Sequence, residues 1–133
     1  MIQKGFQAVC GQHEVVTVEG SGGILCPLRY DEHEKLWLED VVRQLGLASV
    51  IVAHAGLGTI NSVVLTAEYM RANGLAVKGI IFNHFHPGDR MEEDNVPICK
   101  AGTGLPVLAL VQDDMDRFPM DGQALAELYD EVK

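Results

Sequence analysis

Val50-Ile51-Val52-Ala53-His54-Ala55-Gly56-Leu57-Gly58-Thr59-Ile60-Asn61 reads as a buried β-strand that breaks at a glycine turn and restarts as a helix. Downstream, Ile60, Val63, Val64, Ala67 and Met70 share one helical face that ends at Asn73-Gly74, and a second β-rich run follows at residues 77–82. The intervening length suits a right-handed crossover between parallel strands. Two further runs, at residues 15–19 and 106–111, extend the pattern. A helix is expected over residues 34–45, with Leu38, Val41, Val42 and Leu45 on one face and Gly46 as the stop. Asp121 caps a last helix carrying Leu125, Leu128, Tyr129 and Val132, expected to dock on the sheet. The alternation is that of an α/β protein with a partial, doubly wound parallel sheet.

The sheet reads as begun midway. Before Val15 there is space for a turn or two of helix, Lys4 to Cys10, where a doubly wound nucleotide domain opens on a strand leading into its phosphate loop. A sheet begun at Val15 would leave an apolar edge in need of a partner. The charged stretch of residues 87–95 reads as a flexible loop, and Gly102 to Gly104 as a turn.

With 133 residues and 47% hydrophobic content, the chain suits a single, partial domain. Ten Lys+Arg against 19 Asp+Glu give a net charge of −9, which argues against a surface that tracks nucleic-acid phosphates. No apolar run approaches the roughly 20 residues that span a bilayer, and no secretory leader is legible, so a cytoplasmic location without membrane contact is expected. Cys10, Cys26 and Cys99 lack paired spacing and are expected to be reduced packing residues.

Four stretches carry candidate chemistry. Val15-Val16-Thr17-Val18 delivers Glu19 into Gly20-Ser21-Gly22-Gly23, where glycines let the backbone approach an anion closely and the carboxylate suits Mg²⁺; a plain strand and turn is the simpler reading. Gly58, Thr59, Ile60 and Asn61 open a helix, whose partial charge of about +0.5 attracts an anionic tail by roughly 0.3 to 2 kcal/mol. On residues alone the favoured reading is that Gly58 and Thr59 merely cap the helix, since the single G-x-G lacks the third glycine of a dinucleotide fingerprint. Asn83 offers a donor and an acceptor to a purine edge, or a turn former. His84 and His86 form an H-x-H pair, but alternate residues of an extended segment point to opposite faces, which speaks against a shared metal. The acid clusters Asp31-Glu32-His33-Glu34 and Met91-Glu92-Glu93-Asp94 read as solvated carboxylates. A G-x-x-x-x-G-K-[ST] phosphate loop does not occur in the sequence.

In order, Val18-Glu19-Gly20-Ser21-Gly22-Gly23-Ile24-Leu25-Cys26-Pro27-Leu28, Gly56-Leu57-Gly58-Thr59-Ile60-Asn61 with Leu65-Thr66-Ala67-Glu68, and Gly79-Ile80-Ile81-Phe82-Asn83 resemble the carboxyl-terminal half of dethiobiotin synthetase. The resemblance implies a P-loop nucleotide hydrolase type of sheet missing its first strands. It also implies ATP- and Mg²⁺-dependent ureido ring closure of 7,8-diaminononanoate with CO₂, in a homodimer. By that similarity Glu19 is a Mg²⁺ ligand, and Gly20, Ser21 and Gly22 line the phosphates and the reacting carbamate. Asn83 and His84, with Gln112, Asp113 and Asp114, meet the adenine. Gly58, Thr59, Ile60 and Asn61 hold the diamine's carboxylate across the dimer. Ser21 stands where members often have Ala, and His86 where many have Asp before the Pro. The family's phosphate loop and its lysines have no counterpart here, so residues 1–133 alone are expected to be inactive unless a separate phosphate-loop half complements them. Two alternatives stay open: a non-catalytic nucleotide-binding or regulatory module of the same fold, and the related domain of cobyrinate-type amide synthetases or phosphotransacetylases.

Overall fold

Three parallel strands, β3 (Ser49–His54), β4 (Val77–Asn83) and β5 (Val107–Leu110), lie side by side with β4 in the middle. They belong to a computed structural model that describes residues 2–130 of the chain. The described residues fall into two compact units, Ala48–Leu128 and the part up to Leu47 joined by Tyr129.

In the unit of Ala48–Leu128, Ile51 pairs with Ile80, Val52 with Ile81, Ala53 with Phe82 and His54 with Asn83. Alternation along β4 buries Ile80 and Phe82, both at 0% exposure. With Ala55, Val63, Phe85 and Cys99 they make the core, each large apolar side chain contributing roughly 1.5–3 kcal/mol. Helix α3 (Thr59–Ala72) joins β3 to β4 and buries Val63, Ala67 and Met70 at helical spacing. Helix α4 (Arg90–Thr103) joins β4 to β5 and stops at Gly104, whose φ of 71° is left-handed and so suits glycine. Gly79 is required by packing: a Cβ there would stand 2.6 Å from Leu108 Cγ and 2.8 Å from the Pro106 carbonyl.

The first unit holds α1 (Ile2–Cys10), the antiparallel pair β1 (Pro27–Tyr30) and β2 (Lys35–Trp37), and α2 (Leu38–Leu45). Asp31 Oδ1 accepts from the backbone of His33 and Glu34, both at 2.8 Å, and so closes the β1–β2 turn. Arg29 pairs with the same aspartate and holds its carboxyl below the usual range. Asp40 accepts from Trp37 N at 2.9 Å and fixes the start of α2. Gly46, at φ 66°, ends it.

Several expectations are corrected. Residues 15–19 are not a strand: no neighbour among the described residues pairs with them, and an extended run without a ladder partner has nowhere to place its backbone hydrogen bonds. The crossover expected from them is absent accordingly, and among the described residues β3 and β5 each pair on one side only, with Val52 on β3 63% exposed. The helix expected over 34–45 begins at Leu38, because Lys35–Trp37 pairs with β1. Of residues 87–95 only the first three are a turn: Asp89 accepts from Met91 N and Glu92 N and starts α4 at Arg90, with Pro97 inside the helix, and Gly102, expected in a turn, also lies within α4. The tail helix is only α5 (Gly122–Ala126), with no buried residue, although Asp121 caps it as expected through Gln123 N. Tyr129 bonds Thr17 Oγ1 at 2.6 Å within the first unit, and Val132 lies outside the described residues. Cys10, Cys26 and Cys99 are all free thiols, and burial raises the pKa of Cys99.

Candidate functional site

The carboxyl ends of β3 and β4 and the start of α3 form one locality in the second unit. Backbone pairing sets it up: Ala55 N donates to Asn83 O at 2.9 Å, which carries the β3–β4 register one residue past the strand. The glycine turn that follows is held from α4, where buried Asn95 donates through Nδ2 to Ala55 O at 2.9 Å and to Gly56 O at 3.3 Å. Gly58 then adopts φ 87°, a left-handed conformation that glycine takes without strain, and no side chain caps the helix it opens. Thr59 is buried, and its Oγ1 is the one buried side-chain N or O among the described residues that lacks a hydrogen-bond partner. Asn61 is exposed on the first turn. Beside this start runs an apolar groove of ≈ 510 Å³ lined by Leu57, Ile60, Val64, Leu65 and Met91, with Gly58 and Asn61 on its border. Leu57 is 92% exposed there. An anion-attracting helix start beside an apolar groove suits a ligand with an aliphatic body and an acidic end.

On the other side of the strand ends, imidazoles and carboxylates gather. Asn83 Oδ1 accepts from His84 N at 3.0 Å, and His84 takes a left-handed φ of 52°. That twist undoes the alternation expected of an extended H-x-H segment. His84 Nδ1 lies 2.5 Å from Asp113 Oδ1 and His86 Nε2 3.2 Å from Asp113 Oδ2, so both rings meet one carboxylate instead of facing apart. His54 stacks on His84 with centroids 5.0 Å apart. His86 also meets Glu92, whose Oε2 accepts from His86 N at 2.6 Å. Glu92 is only 5% exposed, which corrects the reading of residues 91–94 as uniformly solvated. The histidines hold the Asp113 carboxyl below its ordinary range, the hydrogen bond from His84 foremost. Gln112 N donates to Met115 Sδ, and Asp114 has φ 60°.

Glu19, Gly20, Ser21 and Gly22 belong to the first unit, on an exposed stretch without regular structure. Gly22 takes φ 102°, a conformation that favours glycine, whereas a Cβ on Gly20 would meet only the movable end of the Leu38 side chain, Cδ2 at 2.5 Å. Asn95 and His54 were not among the candidates read from sequence, and His86 and Glu92 were weighed there only as half of an H-x-H pair and as a solvated acid. Asp89-x-x-Glu92 was the available signal for Glu92 and Asn95, since an acid followed three residues later by Glu marks a helix start; none announced His54.

A family model described as AAA domain matches residues 2–116. The chain belongs to that family. AAA-domain membership agrees with the P-loop type of α/β sheet expected from the sequence. Among curated relatives, the ATP-dependent dethiobiotin synthetase BioD of Brachyspira hyodysenteriae is 44% identical over 113 residues, 85% of this chain and 51% of the relative. The protein of that name from Clostridium perfringens is 39% identical over 122 residues, 90% of this chain and 53% of the relative. One from Clostridium botulinum is 33% identical over 131 residues, 98% of this chain and 57% of the relative. The resemblance read from sequence is therefore shown, and the chain spans about half the length of the curated relatives it matches. Among the described residues, no helix is long and apolar enough to cross a membrane.

Proposed function

We propose that residues 1–133 are part of an ATP-dependent dethiobiotin synthetase and supply its substrate-recognition surfaces. The observation that carries this reading is the uncapped start of α3 beside the ≈ 510 Å³ apolar groove. A carboxylate seated on Gly58, Thr59, Ile60 and Asn61, with an aliphatic chain along Leu57 and Leu65, is the shape of 7,8-diaminononanoate. Buried Thr59 Oγ1 lacks a hydrogen-bond partner at this helix start.

In this reading CO₂ adds to one amine of the substrate as a carbamate. ATP phosphorylates that carbamate, and the second amine attacks its carbon and expels phosphate to close the ureido ring. Asn83, His84, Gln112, Asp113 and Asp114 meet the adenine base, while Gly20, Ser21 and Gly22 border the carbamate. Glu19 fits a Mg²⁺ ligand: it is an exposed oxygen donor at a glycine turn. Among the described residues no three His, Cys, Asp or Glu side chains group to hold a metal, so the ion would draw its other ligands from phosphate and water, as Mg²⁺ commonly does. Bound Mg²⁺ offsets the charge of the phosphates. The assembly is a homodimer in the cytoplasm, with the α3 start serving the partner's reaction centre.

The sequence contains no phosphate loop with its lysine, so residues 1–133 by themselves bind but do not turn over; a non-catalytic module of the same fold is the competing reading. Mixing the chain with a phosphate-loop half of a synthetase tests the two. ATP- and CO₂-dependent formation of dethiobiotin is the expected result, lost on Glu19→Ala. Without product from a well-folded mixture, but with ADP still bound, the non-catalytic module replaces this reading.

A further inference from the structure

We infer that His86 is a positioning residue of the base site: as an imidazolium between Glu92 and Asp113, it fixes the loop after β5 against the start of α4. The inference rests on reading Asn83, His84 and residues 112–114 as the surface that meets the base. Its geometry is independent of that reading.

Both ring nitrogens of His86 face carboxylates. Nδ1 stands 3.1 Å from Glu92 Oε1 and 3.2 Å from Oε2, and Nε2 stands 3.2 Å from Asp113 Oδ2. An ionised carboxylate only accepts, so both contacts are hydrogen bonds only while both nitrogens carry protons. A neutral ring has one proton and turns a lone pair towards one of the two acids. Burial decides which. Glu92 is 5% exposed, whereas the Asp113 side chain is 49% exposed and has water at hand. Reducing the buried acid to the one backbone donor of His86 N costs more than returning exposed Asp113 to water, so the remaining proton stays on Nδ1 and the Asp113 contact opens.

The surrounding charges agree with this order. Asp89 and Glu93 on the α4 side are engaged with backbone N–H groups, Asp89 with Met91 and Glu92 and Glu93 with Gly88. From β4's end His84 shares Asp113, and from β3 His54 stacks on His84. The hydrogen bond to Glu92, then that to Asp113, raises the pKa of His86 above the ordinary 6.5. Deprotonation thus leaves Asp113 held by His84 alone, and the Gln112–Asp114 turn is released from α4. Nucleotide affinity should fall with it by about three- to tenfold, the scale of one hydrogen bond.

The test is a pH titration of the ¹⁵N-labelled full chain, following the histidine rings and the amides of residues 112–114, with and without ADP. Those amides should shift with the midpoint of His86, both midpoints should move down together in Glu92→Gln, and His86→Gln should abolish the amide titration. ADP should perturb Asn83, His84 and residues 112–114 and bind three- to tenfold more weakly above the midpoint, but not in His86→Gln. Amides that ignore His86, or still titrate in His86→Gln, overturn the inference even if Glu92→Gln fails to fold. If ADP perturbs none of these residues at any pH while the amides still follow His86, the base-site reading fails and takes the assigned role of His86 with it.

Discussion

Replacing Asn95 with alanine removes the tie between α4 and the glycine turn that opens α3. Asn95 is 7% exposed and donates to two backbone carbonyls, at 2.9 Å to Ala55 O and 3.3 Å to Gly56 O. A net hydrogen bond contributes roughly 1 kcal/mol, and a buried acceptor left without a donor costs about 1–3 kcal/mol. Ala55 is fully buried, so its carbonyl bears the larger penalty, while the longer bond to Gly56 adds less. The expected loss is about 2–4 kcal/mol, read as a fall in the urea midpoint with an unchanged slope. Far-ultraviolet ellipticity is the suitable signal because α3 and α4 both belong to this unit. Asn61→Ala, on the exposed first turn, serves as the control and should stay within about 0.5 kcal/mol. A loss for Asn95→Ala as small as the control's would refute the claim that this amide organises the turn.

Gly79→Ala should destabilise by about 1–3 kcal/mol in the same assay, since its methyl meets Leu108 and the Pro106 carbonyl below 3 Å; an unchanged midpoint would mean that β5 moves aside freely. Thr59→Val exchanges an unpartnered buried hydroxyl for a methyl and should leave the stability read from the urea midpoint equal or raise it by up to about 1–3 kcal/mol; a fall would mean that the hydroxyl is satisfied. Stability should also follow the ionisation of the Asp113 cluster. His86 has a folded pKa raised above 6.5, so its contribution is complete below that value and lost as pH climbs through the folded pKa. Asp113 has one lowered below 3.8, so its contribution is complete above that value and lost as pH drops through the folded pKa. A plateau between the two in the pH dependence of the urea midpoint is expected, with its alkaline flank absent in His86→Gln.

Local periodicity made the second unit legible. β3, α3, β4 and β5 were read to within about a residue because each alternates or repeats over enough positions to reveal its buried face. Elements whose state depends on a distant partner were not. Val15 to Val18 have strand composition, but composition supplies no ladder, whereas Lys35–Trp37 finds one in β1. Helix α4 was hidden by Pro97 and by four acids near its start, although only one of those acids is drawn inside. The site shows the same division. Gly58 to Asn61 could be placed by strand–turn–helix order, whereas the meeting of His84 and His86 at Asp113, with Glu92 on the other side of His86, depends on one left-handed residue that no spacing announces.

Trp37 is the single tryptophan of the chain; it precedes α2 and meets Tyr30 edge-on, with ring centroids 6.2 Å apart. Its neighbour Leu38 is the residue against which Gly20 packs, one position from Glu19. Indole emission is therefore a built-in optical reporter on the loop assigned to the divalent ion. If Glu19 holds the proposed Mg²⁺, a single fluorescence trace of the unlabelled chain should respond to the ion, and a trace indifferent to Mg²⁺ would count against that assignment.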